Sequence, residues 1–344
     1  HMVKSIKATI RDVADLAGVS TATVSRVVNG NTSVSLSNCE AVKKAMTELN
    51  YLPDTAAASL KTNRTHMIGY VTTDVTNPVF ITIMSEIERI LWEHNYTIML
   101  CSSNNNSQKE LSVLKLLMSK KVDGIIINSC GQNDDYIARI SKHIPTVASS
   151  HFIDSPHFIG DYVESENVCG SYMMTAHLIS RGHRKIGIIS GPIISSSVGC
   201  ERFEGFKSAM NSIGILVDDK YPYTYFGSYS IQDGYDGTKK LLEADDRPTA
   251  LILTGSEIMK GALSYCVRHS IRIPEDISLI TFGNYKNLDF LYVRPSYMEN
   301  DLQSIGRKMA ELILERIDTK ETIPSREFRF PIIFRQGDTV KALE

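Results

Sequence analysis

Residues Thr9 to Gly30 read TIRDVADLAGVSTATVSRVVNG, and this stretch predicts two short helices joined by a tight turn. Thr9 can cap the first helix, and Asp12, three residues later, completes a pattern like a capping box. Gly18 suits the left-handed conformation that ends a helix. Ser20 can cap the second helix by accepting hydrogen bonds from its first backbone amides. The stretch therefore predicts a helix-turn-helix motif.

Both predicted helices have an apolar face and a polar face. The apolar positions occur at helical spacing, and they are Ile10, Val13, Leu16 and Ala17 in the first helix and Val24, Val27 and Val28 in the second. The opposite side of the second helix carries Thr21, Ala22, Ser25, Arg26 and Asn29. Such a face can approach base edges and phosphates of DNA. A plain helical hairpin with a solvated polar face is the alternative interpretation.

The residues that follow extend this small unit. A third helix from about Asn38 to Asn50 places Cys39, Val42, Met46 and Leu49 on one side, so three helices can close a core. The segment YLPDTAAASLK, residues 51–61, is alanine-rich and ends in Leu60 and Lys61. Because isolated helices shorter than about 12–15 residues are marginal, its folding is expected to depend on DNA and on the pairing of two chains.

These motifs resemble the lactose-repressor (LacI/GalR) family of bacterial transcription regulators over nearly the whole chain. In the first part the matching motifs are DVA (12–14), AGVS (17–20), TVSRVVN (23–29), NYLP (50–53) and ASLK (58–61). Further along they are RGHRKIG (181–187), GP (191–192) and RFEGF (202–206). The resemblance implies a DNA-binding head and an effector-binding body.

The resemblance also implies a role in DNA binding for particular residues. Thr21, Ala22 and Arg26 would contact base edges in the major groove, with Arg26 directed to a guanine. Phosphate contacts would come mostly from Ser20, Thr23, Ser25 and Asn29, and the remaining expected DNA-binding residues are Thr9, Tyr51 and Ala57. Leu60 would enter the minor groove and kink the duplex, with Lys61 alongside. An ordinary linker residue is the alternative for Leu60.

Length and charge fit this division of the chain. At about 150 residues per domain, 344 residues suit one small head and a large body. Residues 1–64 hold eight Lys or Arg against five Asp or Glu, whereas the remainder holds 29 against 34. The basic excess lies where DNA binding is predicted. We expect a head at residues 8–52, a hinge helix or linker at 53–65, and a body at 66–344.

In the body, strand-like runs alternate with helical stretches. The predicted strands are Met67–Thr72, Thr97–Cys101, Gly124–Asn128, Thr146–Ser149, Lys185–Ser190, Ala250–Leu253 and Ile277–Phe282, and helices include Pro78–His94 and Gln108–Lys120. This alternation predicts an α/β fold with parallel sheets covered by helices on both faces. The resemblance implies two lobes of the periplasmic-binding-protein type, at about 66–165 and 166–294, with the C-terminal stretch crossing back to both.

The common enzyme signatures are missing from the sequence. There is no GxGxxG, P-loop, HExxH or GxSxG motif, so no catalytic residue and no cofactor is expected. His177 and His183 are expected to be structural, not metal ligands, because their spacing of six does not share a helix face. The run Ser195–Ser197 is interpreted as a flexible loop at the cleft edge, against a nucleophile or an anion-binding loop.

Cysteine spacing and hydropathy bear on the compartment. The six cysteines are far apart and form no CxxC pair, which suggests buried, reduced thiols in a cytoplasmic protein. No apolar run approaches the ~18 residues of a membrane span, so a membrane is not an expected partner.

The effector site is where the resemblance weakens. Matching cleft positions are Asn77, Phe80, Asn128 and Arg202, to which Ser150, Ser196 and Asn300 can add polar groups. The family usually carries acids that grip sugar hydroxyls, but Gly255-Ser256 and Gly283-Asn284 stand at those places. An anionic metabolite held by Arg202 and Ser196, a protein corepressor, or no effector at all each fits this departure.

One head contacts too few phosphates and bases for the ~10⁻⁸ to 10⁻¹¹ M affinities typical of operators. We therefore expect a homodimer on a palindromic operator, acting as a repressor under control of a small-molecule effector of carbohydrate metabolism, such as a sugar or a sugar phosphate. A soluble carbohydrate-binding protein without a DNA role, and a regulator controlled by a protein corepressor, are the alternatives.

The expected role of Leu60 can be tested by the substitution Leu60→Ala. The variant should bind its operator more weakly and bend it less, because the wedge at the central base step is lost while the contacts from the second helix remain. Gel-shift titration and a DNA-bending assay measure both effects. Wild-type bending by the alanine variant would reduce Leu60 to a linker residue.

Overall fold

The computed structural model describes residues 8–28, 33–52, 64–194, 196–283 and 293–343. The chain divides into two compact units, residues 1–65 and residues 66–344, and each is described by itself. Asn29, Ala57, Leu60, Lys61 and Ser195, named above, lie outside the described residues.

The first unit contains the predicted helix-turn-helix, formed by α1 (Ile10–Ala17) and α2 (Thr21–Val28), followed by α3 (Leu36–Glu48). The predicted capping box is present, since the Thr9 amide donates to the Asp12 carboxylate at 2.7 Å and the Thr9 hydroxyl accepts from the Asp12 amide. Gly18 has the predicted left-handed conformation, with φ of +67°. The Ser20 hydroxyl accepts from the Thr23 amide at 3.1 Å. The local prediction of two capped helices is confirmed.

The core of this unit differs in detail from the prediction. Its buried residues are Val13, Ala14, Val24, Val42 and Ala45. Ile10 and Leu16 were expected to face inward but are 36% and 47% exposed. Ile10 lies at the open end of a two-turn helix, and Leu16 lies off the stripe formed by Val13 and Ala14.

The third helix also differs from the prediction. It begins at Leu36, not near Asn38, because the Ser35 hydroxyl accepts a hydrogen bond from the Asn38 amide and caps it there. This start places Ala45 in the buried core, whereas Cys39 is half-buried.

The second unit is an α/β body. Its strands are β1 (Met67–Thr72), β2 (Thr97–Ser102), β3 (Gly124–Asn128), β4 (Thr146–Ser149), β5 (Asp161–Ser165), β6 (Ile186–Ser190), β7 (Thr224–Phe226), β8 (Ala250–Leu253), β9 (Ser278–Phe282), β10 (Ser296–Asn300), β11 (Arg326–Phe330) and β12 (Ile332–Arg335). Its helices are α4 (Pro78–Glu93), α5 (Ser107–Ser119), α6 (Asp134–Ser141), α7 (Asn167–Ser180), α8 (Ser197–Asn211), α9 (Ile231–Leu242), α10 (Ser256–Arg268) and α11 (Leu302–Asp318).

The strands form two six-stranded sheets, with the orders β11-β5-β4-β3-β1-β2 and β12-β10-β9-β8-β6-β7. Neighbours are parallel in both sheets except β10 and β12, which are antiparallel. The predicted α/β class with parallel sheets is confirmed. The apolar runs that revealed the central strands are buried on both faces, as parallel sheets require. The strands that the sequence did not reveal are β5, β7, β10, β11 and β12.

Each sheet with its helices forms one lobe, and the chain crosses between the lobes three times. The crossings lie between β5 and α7, between β10 and α11, and between β11 and β12. Helix α11 packs into the core of the first lobe through Leu302, Ile305 and Met309. The C-terminal stretch therefore contributes to both lobes.

The predicted burial of the cysteines is partly wrong. Cys130 and Cys266 are buried, and burial raises the pKa of each thiol to about 12. Cys169 and Cys200 are exposed, on α7 and α8.

A buried ionic cluster fixes the returning strand β11 in the first lobe. Asp161 has no exposed surface, and it accepts hydrogen bonds from Arg316 at 2.7 and 2.9 Å and from Arg326 at 2.9 and 3.1 Å. Burial opposes ionisation of Asp161, but the hydrogen bonds from the two arginines outweigh it and lower its pKa. The carboxylate thus joins β5, α11 and β11.

We predict that Asp161→Asn lowers the free energy of unfolding by about 3–5 kcal/mol, because it leaves a buried Arg316 without its counter-charge. Urea denaturation of the full chain measures this. Because the folded-state pKa lies below the usual 3.8, the ionic contribution is present at neutral pH and lost as pH falls through that range. The control is Asp338→Asn, which breaks the exposed pair with Arg294 and should change stability little. Equal effects of the two substitutions would contradict the prediction.

Candidate functional site

Helix α2 presents an exposed polar face in the first unit. Thr21 and Ala22 are exposed in its first turn, and Arg26 is exposed in its last turn. Ser25 and Thr23 are half-buried on the flanks of this face. The helix keeps this orientation because Val24 is fully buried against α1 and α3. A rigid helix with small residues at its start and an arginine further along suits insertion into a major groove.

The other predicted DNA-binding residues of this unit also support its own structure. The Ser20 and Thr23 hydroxyls lie 2.9 Å apart, and Thr9 takes part in the capping box. Tyr51 is half-buried against the core of the unit. Ser20 and Thr9 are exposed at helix starts, where backbone amides and positive helix ends favour phosphate groups.

The body contains a cleft of about 430 Å³ between its lobes. It lies where strands end and the following helices begin, which is where open α/β sheets bind ligands. The predicted residues that line it are Asn77, Phe80, Ser150, Ser196, Arg202, Gly255, Gly283 and Asn300.

Asn128 was expected in the cleft wall, but it lies behind that wall. It is fully buried, its amide donates to the Tyr70 hydroxyl at 2.9 Å, and its carbonyl oxygen accepts from the Ser150 hydroxyl at 3.5 Å. As the last residue of β3, its side chain points into the lobe. Asn128 therefore contacts the cleft only indirectly, through its hydrogen bond with Ser150.

Arg202, on α8, forms part of the cleft wall and is 8% exposed. Its Nε donates to the Asn167 side chain at 2.9 Å, and its Nη1 donates to the carbonyl of Thr254. The guanidinium carbon lies 3.9 Å from the centre of the Phe282 ring. Burial lowers the pKa of Arg202, whereas the charge of Glu164 opposes this effect. The guanidinium is therefore a fixed positive group, held from three sides.

Glu164, which the sequence did not reveal, lines the cleft from the first lobe. It is 8% exposed, and its carboxylate accepts hydrogen bonds from the Ser149 hydroxyl at 3.2 Å, the Ser150 amide at 2.9 Å and the Ser165 amide at 2.8 Å. These three donors fix the position of the carboxylate. The residue belongs to β5, whose sequence DYVES lacks the apolar run used to find strands.

Tyr229 is a second cleft residue that the sequence did not reveal, and two glycines make room for it. A Cβ atom at Gly191 would lie 2.2 Å from the Tyr229 ring, and one at Gly255 would lie 3.1 Å from it. The Tyr229 ring thus occupies the space beside both glycines. Burial raises the pKa of the Tyr229 hydroxyl, so it stays protonated.

The cleft wall contains a buried acceptor without a protein partner. Asn300 is 8% exposed, and its Oδ1 has no hydrogen-bond partner among the described residues. An unpaired buried polar group costs about 1–3 kcal/mol. Helix α10 begins at the cleft, and its N-cap Gly255 provides no side-chain hydrogen bond to the first amides of the helix. These groups suit a ligand that both donates and accepts hydrogen bonds.

The two histidines considered above have local structural contacts. His183 is buried between the Thr249 hydroxyl, at 2.8 Å, and the Lys341 carbonyl, at 3.1 Å. The His177 ring lies 4.7 Å from that of Phe334. Across the described ranges, no three metal-ligating side chains come together, and no helix has the length and apolar character of a membrane span.

A helix-turn-helix unit and a two-lobed body with a ligand cleft, in one chain, define the class of ligand-controlled DNA-binding regulators. The profile of bacterial regulatory proteins of the lacI family matches residues 9–54. That of periplasmic binding proteins and the sugar-binding domain of the LacI family matches residues 65–337. The chain belongs to the LacI family of bacterial regulatory proteins.

Individual relatives agree with this assignment. The HTH-type transcriptional repressor PurR of Pasteurella multocida is 33% identical over 315 residues, which cover 91% of this chain and 93% of that protein. A LacI-family regulator of Silicibacter pomeroyi superposes with a TM-score of 0.81 at 27% identity, over 97% and 99% of the two chains. The lac repressor dimer bound to operator and the anti-inducer ONPF has the same fold, with a TM-score of 0.85 at 23% identity over 98% and 100%. The protein is a DNA-binding transcriptional repressor and not an enzyme.

Proposed function

We propose that the protein represses transcription by binding a palindromic operator as a homodimer, and that a small molecule in the cleft of the body sets its affinity for that operator. The exposed face of α2 carries the proposal for DNA. Thr21, Ala22 and Arg26 are accessible on a helix that the buried Val24 holds in place. A protein that binds the operator acts in the cytoplasm, where the bacterial chromosome lies.

Base contacts are assigned to three residues of α2. Thr21 and Ala22 are small and contribute mainly contacts with thymine methyl groups and single hydrogen bonds. Arg26 can make a bidentate contact with guanine and should supply most of the sequence preference within a half-site. The hydroxyls of Ser20, Thr23 and Ser25, together with Asn29, position the head on the phosphates.

The segment from residue 53 to residue 65 connects head and body in this proposal. Ala57, Leu60 and Lys61 would contact the minor groove at the operator centre, and two copies would be needed for the segment to fold. This coupling lets the body control the head, because any change in how two bodies pair alters the spacing of two segments.

The effector is assigned to the cleft between the lobes. Asn77, Phe80, Ser150, Ser196 and Asn300 offer polar and aromatic contacts there. The lac repressor described above binds an operator and an anti-inducer. This chain has a helix-turn-helix unit that corresponds to the first and a two-lobed body that corresponds to the second. By volume alone, a cleft of about 430 Å³ can hold a sugar, a sugar phosphate or a related metabolite of carbohydrate metabolism.

We predict that the full chain is a dimer that binds a palindromic site much more tightly than one half-site, and that affinity falls steeply with salt because phosphates supply much of it. Sedimentation and gel-shift titration on operators selected from random DNA measure this. Residues 62–344 alone should not bind DNA, which separates the repressor from a carbohydrate-binding protein without a DNA role. A monomer that gains nothing from the second half-site would contradict the proposal.

Arg26→Ala should cost about 1–3 kcal/mol of operator binding and relax the preference at one position of each half-site. The loss should be larger for the cognate site than for mismatched sites, because a base contact is removed. Lys44→Ala, an exposed charge on α3, is the control and should act equally on all sequences, if at all. Binding should be compared on a set of single-base operator variants. A uniform loss for Arg26→Ala would make Arg26 a phosphate contact.

A further inference from the structure

We propose that Glu164 determines which ligands the cleft accepts. Its carboxylate supplies the negative charge that the surrounding groups favour, so the cleft accepts uncharged ligands and excludes phosphorylated and carboxylated ones. The inference rests on the proposed function of the cleft as the effector site.

The surroundings of the cleft are positive at several points. Helices α4, α8 and α10 begin at it, with Asn77, Ser196 and Gly255 as their N-caps. The amino end of a helix carries a partial positive charge and favours anions. Arg202 adds a full positive charge in the wall of the second lobe. Without an acid of its own, this cleft would suit an anionic ligand.

Glu164 provides that acid from the opposite lobe. Its carboxylate is held by three hydrogen bonds and acts electrostatically on both Arg202 and Tyr229. The other carboxylates of the lining are differently placed. Asp74 is exposed and accepts from Thr76, and Glu257 forms an ion pair with Lys260 at 2.5 Å. Among the described lining residues, Glu164 is thus the acid that is buried and forms no direct ion pair.

A phosphate in this cleft would lie beside a buried carboxylate. Like charges repel strongly where water is excluded, and Glu164 cannot move away because its oxygens are fixed by the backbone amides of Ser150 and Ser165. A neutral molecule with hydroxyl groups avoids this repulsion. It can donate to Asn300 Oδ1 and accept from the first amides of α10. The geometry therefore reverses the preference for an anion that the sequence alone suggested.

The test uses the full chain, with inorganic phosphate and glucose 6-phosphate as probes. The wild-type protein should bind neither of the two probes, whether binding is measured by calorimetry or by a thermal-shift assay. Glu164→Gln should bind phosphate at least about tenfold more tightly than wild type, because the repelling charge is gone while Arg202 and the helix ends remain. Glu164→Ser is a second neutral variant, to be used if the Glu164→Gln protein does not fold.

Two matched variants separate charge at this position from other effects. Glu257→Gln removes a cleft carboxylate that is already paired with Lys260 and should bind phosphate no better than wild type. Glu164→Asp keeps the charge and should also exclude phosphate. Phosphate binding by the wild type, or a folded neutral variant at residue 164 without any gain, would overturn the inference. Operator binding by the same preparations shows whether the proposed function stands, because a failure confined to anion binding leaves it untouched.

Discussion

The body depends on one constraint, the threefold crossing of the chain between its lobes. Two of the three crossings border the cleft, where Ser165, Asn300 and Leu302 form part of the lining. At the crossing that leads from β11 to β12, Arg329 pairs with Glu201 of α8 at 2.7 Å and donates to the Ser165 carbonyl at 3.2 Å. One guanidinium thus holds a strand of the first lobe against a helix of the second.

A chain of hydrogen bonds links this crossing to the cleft. Arg202 donates to Asn167, whose amide donates to Glu201 at 3.2 Å, and Glu201 in turn accepts from Arg329. Arg202 in the cleft wall and Arg329 at the crossing are therefore joined by three successive hydrogen bonds. A ligand bound against Arg202, as proposed above, would contact a side chain of the same network that joins the two lobes.

Local chemistry made the first unit predictable. The capping box of Thr9 and Asp12, the left-handed Gly18 and the cap at Ser20 involve residues at most a few positions apart. Central strands such as β3 could also be predicted, because burial on both faces demands a continuous apolar run. Edge and crossing strands such as β5 and β11 carry charged residues, since their partners include the arginines around Asp161, and apolar patterning does not reveal them.

The sequence by itself determined the capped helices, the parallel α/β body and eight of the residues that line the cleft. Only the tertiary structure decided what those residues face. It placed Asn128 behind Ser150, let the Tyr229 ring fill the space beside Gly255, and brought Glu164 opposite Arg202. The physical reason is that caps and apolar periodicity depend on neighbours in the chain. The charge balance of a cleft depends on groups that are far apart in sequence and meet only when the lobes assemble.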